Sequence, residues 1–175
     1  MKVNKIVNST IECELEITGA TLLSIEEAEE YLTDEERKYI CWWWLRSGSY
    51  SSHNAASVYG DGFISYYGYG DFVCDSGDCV RPALQIKNLE SSNLEIGDIF
   101  ELGGYEFKVI SENLAWMHKQ DIGCCAFNKD LENGNNYETS DVKKFVDEWF
   151  KALINFKSEE IDDILKKWNK EDNIE

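Results

Sequence analysis

The stretch WWWLRSGSYSSHNAASVYGDGFISYYGYGDFV, residues 42–73, decides how the rest of the chain is read. Apolar runs of three to five residues are broken by Gly, Ser, Asn and Asp, and no helical period survives. Short strands joined by tight turns fit this texture, at about 42–45, 57–59, 62–67, 72–74 and, just beyond, 79–86. Gly60-Asp61-Gly62 reads as the turn of a hairpin joining SVY to FISYY. Successive strand side chains alternate, so Trp42 and Trp44 point one way and Trp43 the other. If both faces are covered, all three tryptophans belong to the core. The tyrosines differ, because Tyr50, Tyr59, Tyr66, Tyr67 and Tyr69 are interleaved with Ser, Gly and Asn. Tyrosine supplies rigid amphipathic area and the small polar residues adapt around a partner, a mixture that suits a recognition surface. It also suits an ordinary tyrosine-rich sheet.

Upstream, IECELEI (11–17) alternates apolar and acidic residues, a half-buried strand with Glu12, Glu14 and Glu16 on its outer face. Ser24…Glu27 and Thr33…Glu36 are two capping boxes, which predict short helices to about Leu32 and Ile40. Downstream, GDIFELGGYEFKVIS (97–111) reads as a hairpin closed by Gly103-Gly104, followed by strands at 114–119 and 124–127. Residues 128–138 read as a polar loop. Ser140 caps a helix in which Val142, Phe145, Val146, Trp149, Phe150 and Leu153 form one apolar stripe, and Ser158 opens another through Ile161, Ile164, Leu165 and Trp168. Pro82 cannot donate to a ladder, so CVRPALQI is expected at an edge or a bulge. The whole reads as one α+β domain over 1–175: short twisted antiparallel strands and hairpins with amphipathic helices packed on them.

Composition narrows the function. With 43% hydrophobic and 13% aromatic residues, the 175-residue chain can build a core. Net charge is −17, from 34 acidic and 17 basic residues. Ten carboxylates fall between Glu12 and Glu36, a field that repels nucleic acid and anionic membrane. No apolar run approaches the ~20 residues of a membrane helix, and no h-region of a secretory signal is visible. The expected partner is therefore a protein, a basic one in the reading that uses the acidic face, or another ligand, with no direct nucleic acid and no membrane. The expected location is the cytoplasm, and the six cysteines are expected to be reduced. Cys74/Cys79 and Cys124/Cys125 do not have C-x-x-C spacing, and no cofactor or structural metal is expected. Asp71, Asp75 and Asp78 crowd one turn and could hold Ca²⁺, but their spacing is not D-x-D-x-D-G, and Asp and Gly also dominate plain turns. His53 and His118 belong to no recognisable nucleophile motif, and the glycines of GDGFIS and GYGDFV lack a Walker lysine. No catalytic residue is assigned.

Taken in order, WWWLRSG (42–48), AASVYGDG (55–62) and VRPAL (80–84) resemble an uncharacterised bacterial domain family marked by WWLRS and VRPAL segments. That family is similar in fold to C-type lectins and formylglycine-generating (sulfatase-modifying) enzymes. LLSIEEAEEYL (22–32) is similar to its lead-in, so the resemblance spans 22–86. Segments 97–111 and 137–150 resemble elements that precede WWLRS in the family, so the chain looks circularly permuted, with 97–168 as its second half. Gly48 stands where proline is common, and Cys79 where glycine is. The resemblance implies a scaffold whose loops bind, with Trp43, Trp44, Arg46, Arg81 and Pro82 as structural residues. The copper-binding cysteine pair of the sulfatase-modifying enzymes has no matching motif, so that oxidase activity is a remote alternative. The leading expectation is a non-enzymatic recognition module using Tyr50, His53, Asn54, Tyr59, Tyr66, Tyr67 and Tyr69. The alternative is a small acidic inhibitor or nucleic-acid mimic of the phage-encoded kind that binds a basic host protein through Glu12, Glu14, Glu16, Glu26, Glu30 and Glu35.

Overall fold

A computed structural model describes residues 1–6, 11–65 and 70–171, the last two as backbone only. In chain order the elements are β1 (Lys2–Lys5), β2 (Ile11–Glu14), β3 (Glu16–Thr21), α1 (Ile25–Tyr31), α2 (Asp34–Arg37), β4 (Trp43–Gly48), β5 (Asn54–Val58) and β6 (Asp71–Phe72). They continue with β7 (Ala83–Lys87), β8 (Ile99–Leu102), β9 (Tyr105–Val109), β10 (Leu114–Met117), α3 (Asp141–Ile154) and α4 (Ser158–Glu171). This is a mixed α+β fold, as the patterning predicts.

One sheet has seven strands in the order β2-β1-β8-β9-β10-β7-β3, and the other has three, β4-β5-β6. The expected single strand at 11–17 is corrected here. Its two halves lie at opposite edges of the large sheet, although only Leu15 separates them. Edges joined by one residue require the sheet to curl on itself, and Leu15 donates from its N–H to the Met1 carbonyl at 2.8 Å to close the corner. Alternation survives the break from Glu12 to Glu16, where Cys13 and Leu15 are buried and Glu12, Glu14 and Glu16 exposed, but Ile11, expected on the inner face, is 42% exposed.

Both capping boxes form, with Ser24 and Thr33 accepting from the N–H groups of Glu27 and Glu36. α2 ends at Arg37, not near Ile40. The Gly103-Gly104 hairpin forms between β8 and β9, and both glycines take positive φ values of 59° and 85°, the region glycine enters without strain. Residues 124–127 form no strand; Cys124 makes only an isolated bridge to Cys79. Pro82 is also corrected: it precedes β7, which lies inside the sheet between β10 and β3, and its carbonyl accepts from Met117 at 3.0 Å. A proline there forfeits no ladder bond because the strand begins one residue later.

α3 buries Val142, Phe145, Val146, Trp149, Ala152 and Leu153. Trp149 meets Tyr105 and Phe107 from the sheet, and Phe145 stacks on Trp168 of α4 at 5.3 Å. A second, smaller core joins Trp43, Leu45, Ala56, Val58 and Ile64 to Trp116 of the large sheet, with Trp43 and Trp116 rings 5.5 Å apart. No helix among the described residues is long and apolar enough to cross a membrane.

Candidate functional site

The residues around β4, β5 and the 59–63 turn build an exposed aromatic rim. β4 begins at Trp43, so the alternation argument does not reach Trp42. Trp43 and Trp44 are fully buried, but Trp42 remains 42% exposed, correcting the all-core reading. Its ring stacks on Tyr59 with centroids 4.0 Å apart, and Tyr59 lies 5.8 Å from Phe63. Tyr59 and Phe63 are held in register by the expected turn, since the Tyr59 N–H donates to the Phe63 carbonyl at 2.9 Å. Phe63 is 55% exposed and Ile40, two residues before Trp42, 92%.

Phe63 also lines an open cleft of about 470 Å³ with Glu29, Asp34, Glu35, Asp61, Arg37 and Lys38. Arg37 pairs with Asp34 and Lys38 with Glu35, so the two cations are already engaged by neighbours on their own turn. Apolar rim and acidic cleft are thus one continuous feature that shares Phe63.

A disulfide, Cys41–Cys79, braces the rim, which corrects the expectation of six reduced cysteines. The backbone explains the pairing. Cys79 donates to the Trp42 carbonyl at 2.7 Å and accepts from the Trp44 N–H at 3.1 Å, which sets the two cysteine Cα atoms 6.5 Å apart. The Cys124 sulfur lies 2.9 Å from that of Cys79. While Cys41 and Cys79 are joined, this trio offers thiol–disulfide exchange rather than three thiolate ligands.

The other expected contact residues separate. Tyr50 is 82% exposed, in a segment that Asn135 pins by donating to the carbonyls of Ser49, Ser51 and Asn54. Sequence reading placed Asn135 in a plain polar loop and missed this brace; three backbone acceptors for one side-chain amide leave no sequence signal. His53 is half-buried, 3.7 Å from Glu132. Asn54 is half-buried and donates to the Gly70 carbonyl at 2.9 Å, so its side chain is spent inside the fold. Tyr66, Tyr67 and Tyr69 lie outside the described residues. Of the acidic set, Glu12 pairs with Lys2, Glu14 with the N-terminal amine and Glu35 with Lys38, while Glu26 and Glu30 stand exposed on α1 and Glu16 on β3.

The two motif arginines do different work. Arg46 makes a two-pronged ion pair with Glu27 and donates to the Leu22 carbonyl at 2.9 Å. Burial alone would raise the Glu27 carboxyl, but hydrogen bonds from Arg46 and the Ser24 N–H outweigh it and hold the group below its ordinary range. Arg81 is 2% exposed and stacks against Tyr39, Trp43 and Trp116, with its carbon 4.2, 5.1 and 4.2 Å from the ring centroids. Its Nε donates to the Gln120 carbonyl at 3.1 Å. Burial pulls the guanidinium down to about 10, against the attraction of Tyr39 and Asp121. It forms the floor of a cavity of about 310 Å³ lined by Tyr39, Trp116, His118 and Lys119 among others. His118 is lowered by burial first and then by Lys119.

Asp71, Asp75 and Asp78 converge, with one carboxylate oxygen from each within 4.8 Å of the others. Asp78 is buried, and desolvation, then Asp71 and Asp75, push its carboxyl up to about 8.

With this geometry in view, a family model described as a domain of unknown function (DUF6273) matches residues 8–88. The match contains WWLRS, VRPAL, the aromatic rim and all three aspartates. Residues 97–150 lie outside it. No curated protein and no solved structure matches the chain.

Proposed function

We propose that this protein is a non-enzymatic recognition module that binds a basic protein segment carrying an apolar anchor. One observation supports this reading most: the aromatic rim, in which Trp42 stacks on a half-buried Tyr59 beside Phe63, exposes Trp42 and Phe63 and runs directly into an acidic cleft. Large aromatic side chains left at a surface are costly to keep in water and are enriched where partners dock. Carboxylates beside them favour a cationic partner and speed its approach. The resemblance of WWLRS and VRPAL to the lectin-like family adds a scaffold whose loops are used for binding, with the second half permuted. The Tyr50 and His53 segment lies at the opposite end of the β4–β5 hairpin from the rim, so it is a separate surface.

A random-peptide display selection tests this directly. Peptides retained by the wild-type protein and lost on a Trp42→Ala/Phe63→Ala variant should be rich in Lys or Arg with a neighbouring large apolar residue. Retention that ignores the double variant but disappears on charge reversal at Glu12, Glu14 and Glu16 would favour the acidic-mimic reading instead. No enrichment over the variant, or enrichment of acidic peptides, would contradict the proposal.

A further inference from the structure

We infer that Asp71, Asp75 and Asp78 form a binding site for a hard divalent cation, Ca²⁺ by preference, that ties β6 to the turn entering Cys79. The inference stands apart from the recognition reading, and neither depends on the other.

The three positions are held by strand pairing and turn hydrogen bonds around the cluster, two of which use an Asp71 or Asp75 oxygen. Asp71 sits opposite Ala55 in the β5–β6 register. At Gly70 just before it, any Cβ would strike the Ala55 carbonyl, so the chain is pressed against β5 at this point. The Asp75 N–H closes a turn onto the Phe72 carbonyl at 2.9 Å, and one Asp75 oxygen accepts from the Gly77 N–H at 2.8 Å. The Asp78 carbonyl accepts from Cys125 at 3.2 Å. The cluster is therefore built by the fold and not by chance on a loose loop.

The second observation is Asp78 itself. It is 3% exposed, its Oδ2 has no hydrogen-bond partner among the described residues, and the one side chain its carboxyl approaches closely is another carboxyl, that of Asp71. A carboxylate oxygen buried without a partner is expensive, and the charges nearest it, Asp71 and Asp75, are also negative. A divalent cation between them removes both penalties. Two oxygens that share one Ca²⁺ at ~2.4 Å are at most ~4.8 Å apart, a limit the three carboxylates meet. An all-oxygen donor set excludes the soft metals. Three carboxylates leave room for the water and carbonyl oxygens that complete the six to eight ligands Ca²⁺ takes, while Mg²⁺ demands a tighter octahedron.

Calorimetric titration of chelator-stripped protein with CaCl₂ at pH 8, with thermal melting in parallel, tests the site. The wild type should take up one Ca²⁺ per chain and melt at a higher temperature with it. Asp78→Asn should lose that uptake, and Asp75→Asn, altered at an exposed position, should weaken it at least tenfold. Glu159→Gln, on α4, should bind as the wild type does. No uptake by the wild type up to ~1 mM Ca²⁺, the weak end of protein sites, would overturn the inference and leave a proton shared by Asp71 and Asp78 as the resolution. Uptake unchanged in Asp75→Asn would also overturn it, because the binding would then belong to the general acidic surface. Should Asp78→Asn fail to fold by circular dichroism, the Asp75→Asn result decides alone.

Discussion

The two sheets treat their aromatic side chains in opposite ways. In the seven-stranded sheet, Phe100, Phe107 and Trp116 are buried, and α3 and α4 add Phe145, Trp149 and Trp168 as a lid. Around the three-stranded sheet, Trp43 and Trp44 are buried, but Trp42 and Phe63 remain exposed with Tyr59 half-buried between them. Residue type is the same on both sides; what differs is whether an element is available to cover it. A helix stripe supplies cover for the large sheet, whereas the 59–63 turn leaves the small sheet's rim open. The difference separates aromatics that hold the fold from aromatics that are available to a partner.

The sharpest way to break this comparison is at the covered end. Trp149→Ala should cost about 3–5 kcal/mol, the range for emptying a packed aromatic site, read as a lower urea midpoint. Loss of the Cys41–Cys79 disulfide comes next. Its two ends are 38 residues apart, and the chain-entropy relation gives about 4 kcal/mol as an upper value for such a loop. Melting with and without a thiol reductant, or of Cys41→Ser, should show a clear drop; identical curves would mean that the bond contributes nothing to the fold. Arg81→Ala should cost roughly 2–4 kcal/mol, since it empties the space between Tyr39, Trp43 and Trp116. Wild-type-like melting of that variant would remove the structural role assigned to VRPAL.

A smaller effect is expected at Glu27. Its folded carboxyl lies below the ordinary value of 4.5, so the stability it contributes is present above that value and is lost as pH falls through the lower folded value. Glu27→Gln should flatten the stability profile on the acid side of about pH 5, and an unchanged slope there would show that the Arg46 pair is not felt. Glu36, bonded to Lys108 and held low in the same manner, should behave likewise.

Local signals carried the helices and hairpins into the sequence. Ser24…Glu27, Thr33…Glu36 and Gly103-Gly104 each specify structure within a few residues, so each was legible. Pairings made by chain reversal were not. From Glu12 to Glu16 IECELEI gives the correct alternation of burial, yet nothing within it says that Ile11 is exposed or that Ile11–Glu14 and Glu16–Thr21 go to opposite sheet edges. Likewise the Cys41–Cys79 bond follows from a backbone bridge between 43 and 79 that no spacing rule predicts. The candidate site was half legible: Tyr59 and the 60–62 turn could be read, while Trp42 was misread because β4 starts one residue later than the triple tryptophan suggests. Asp71, Asp75 and Asp78 were visible as a crowded turn, but the burial of Asp78 depends on the Cys79 and Cys125 segments packed around it.

The central claim is that the rim serves something other than the fold. Urea unfolding of a Trp42→Ala/Tyr59→Ala/Phe63→Ala variant beside Trp149→Ala tests it most directly. The account predicts that the triple variant loses less than Trp149→Ala alone, because Trp42 and Phe63 already leave much of their surface in water whereas Trp149 is fully buried. A triple variant as destabilised as Trp149→Ala would show that the rim belongs to the core and would contradict the account.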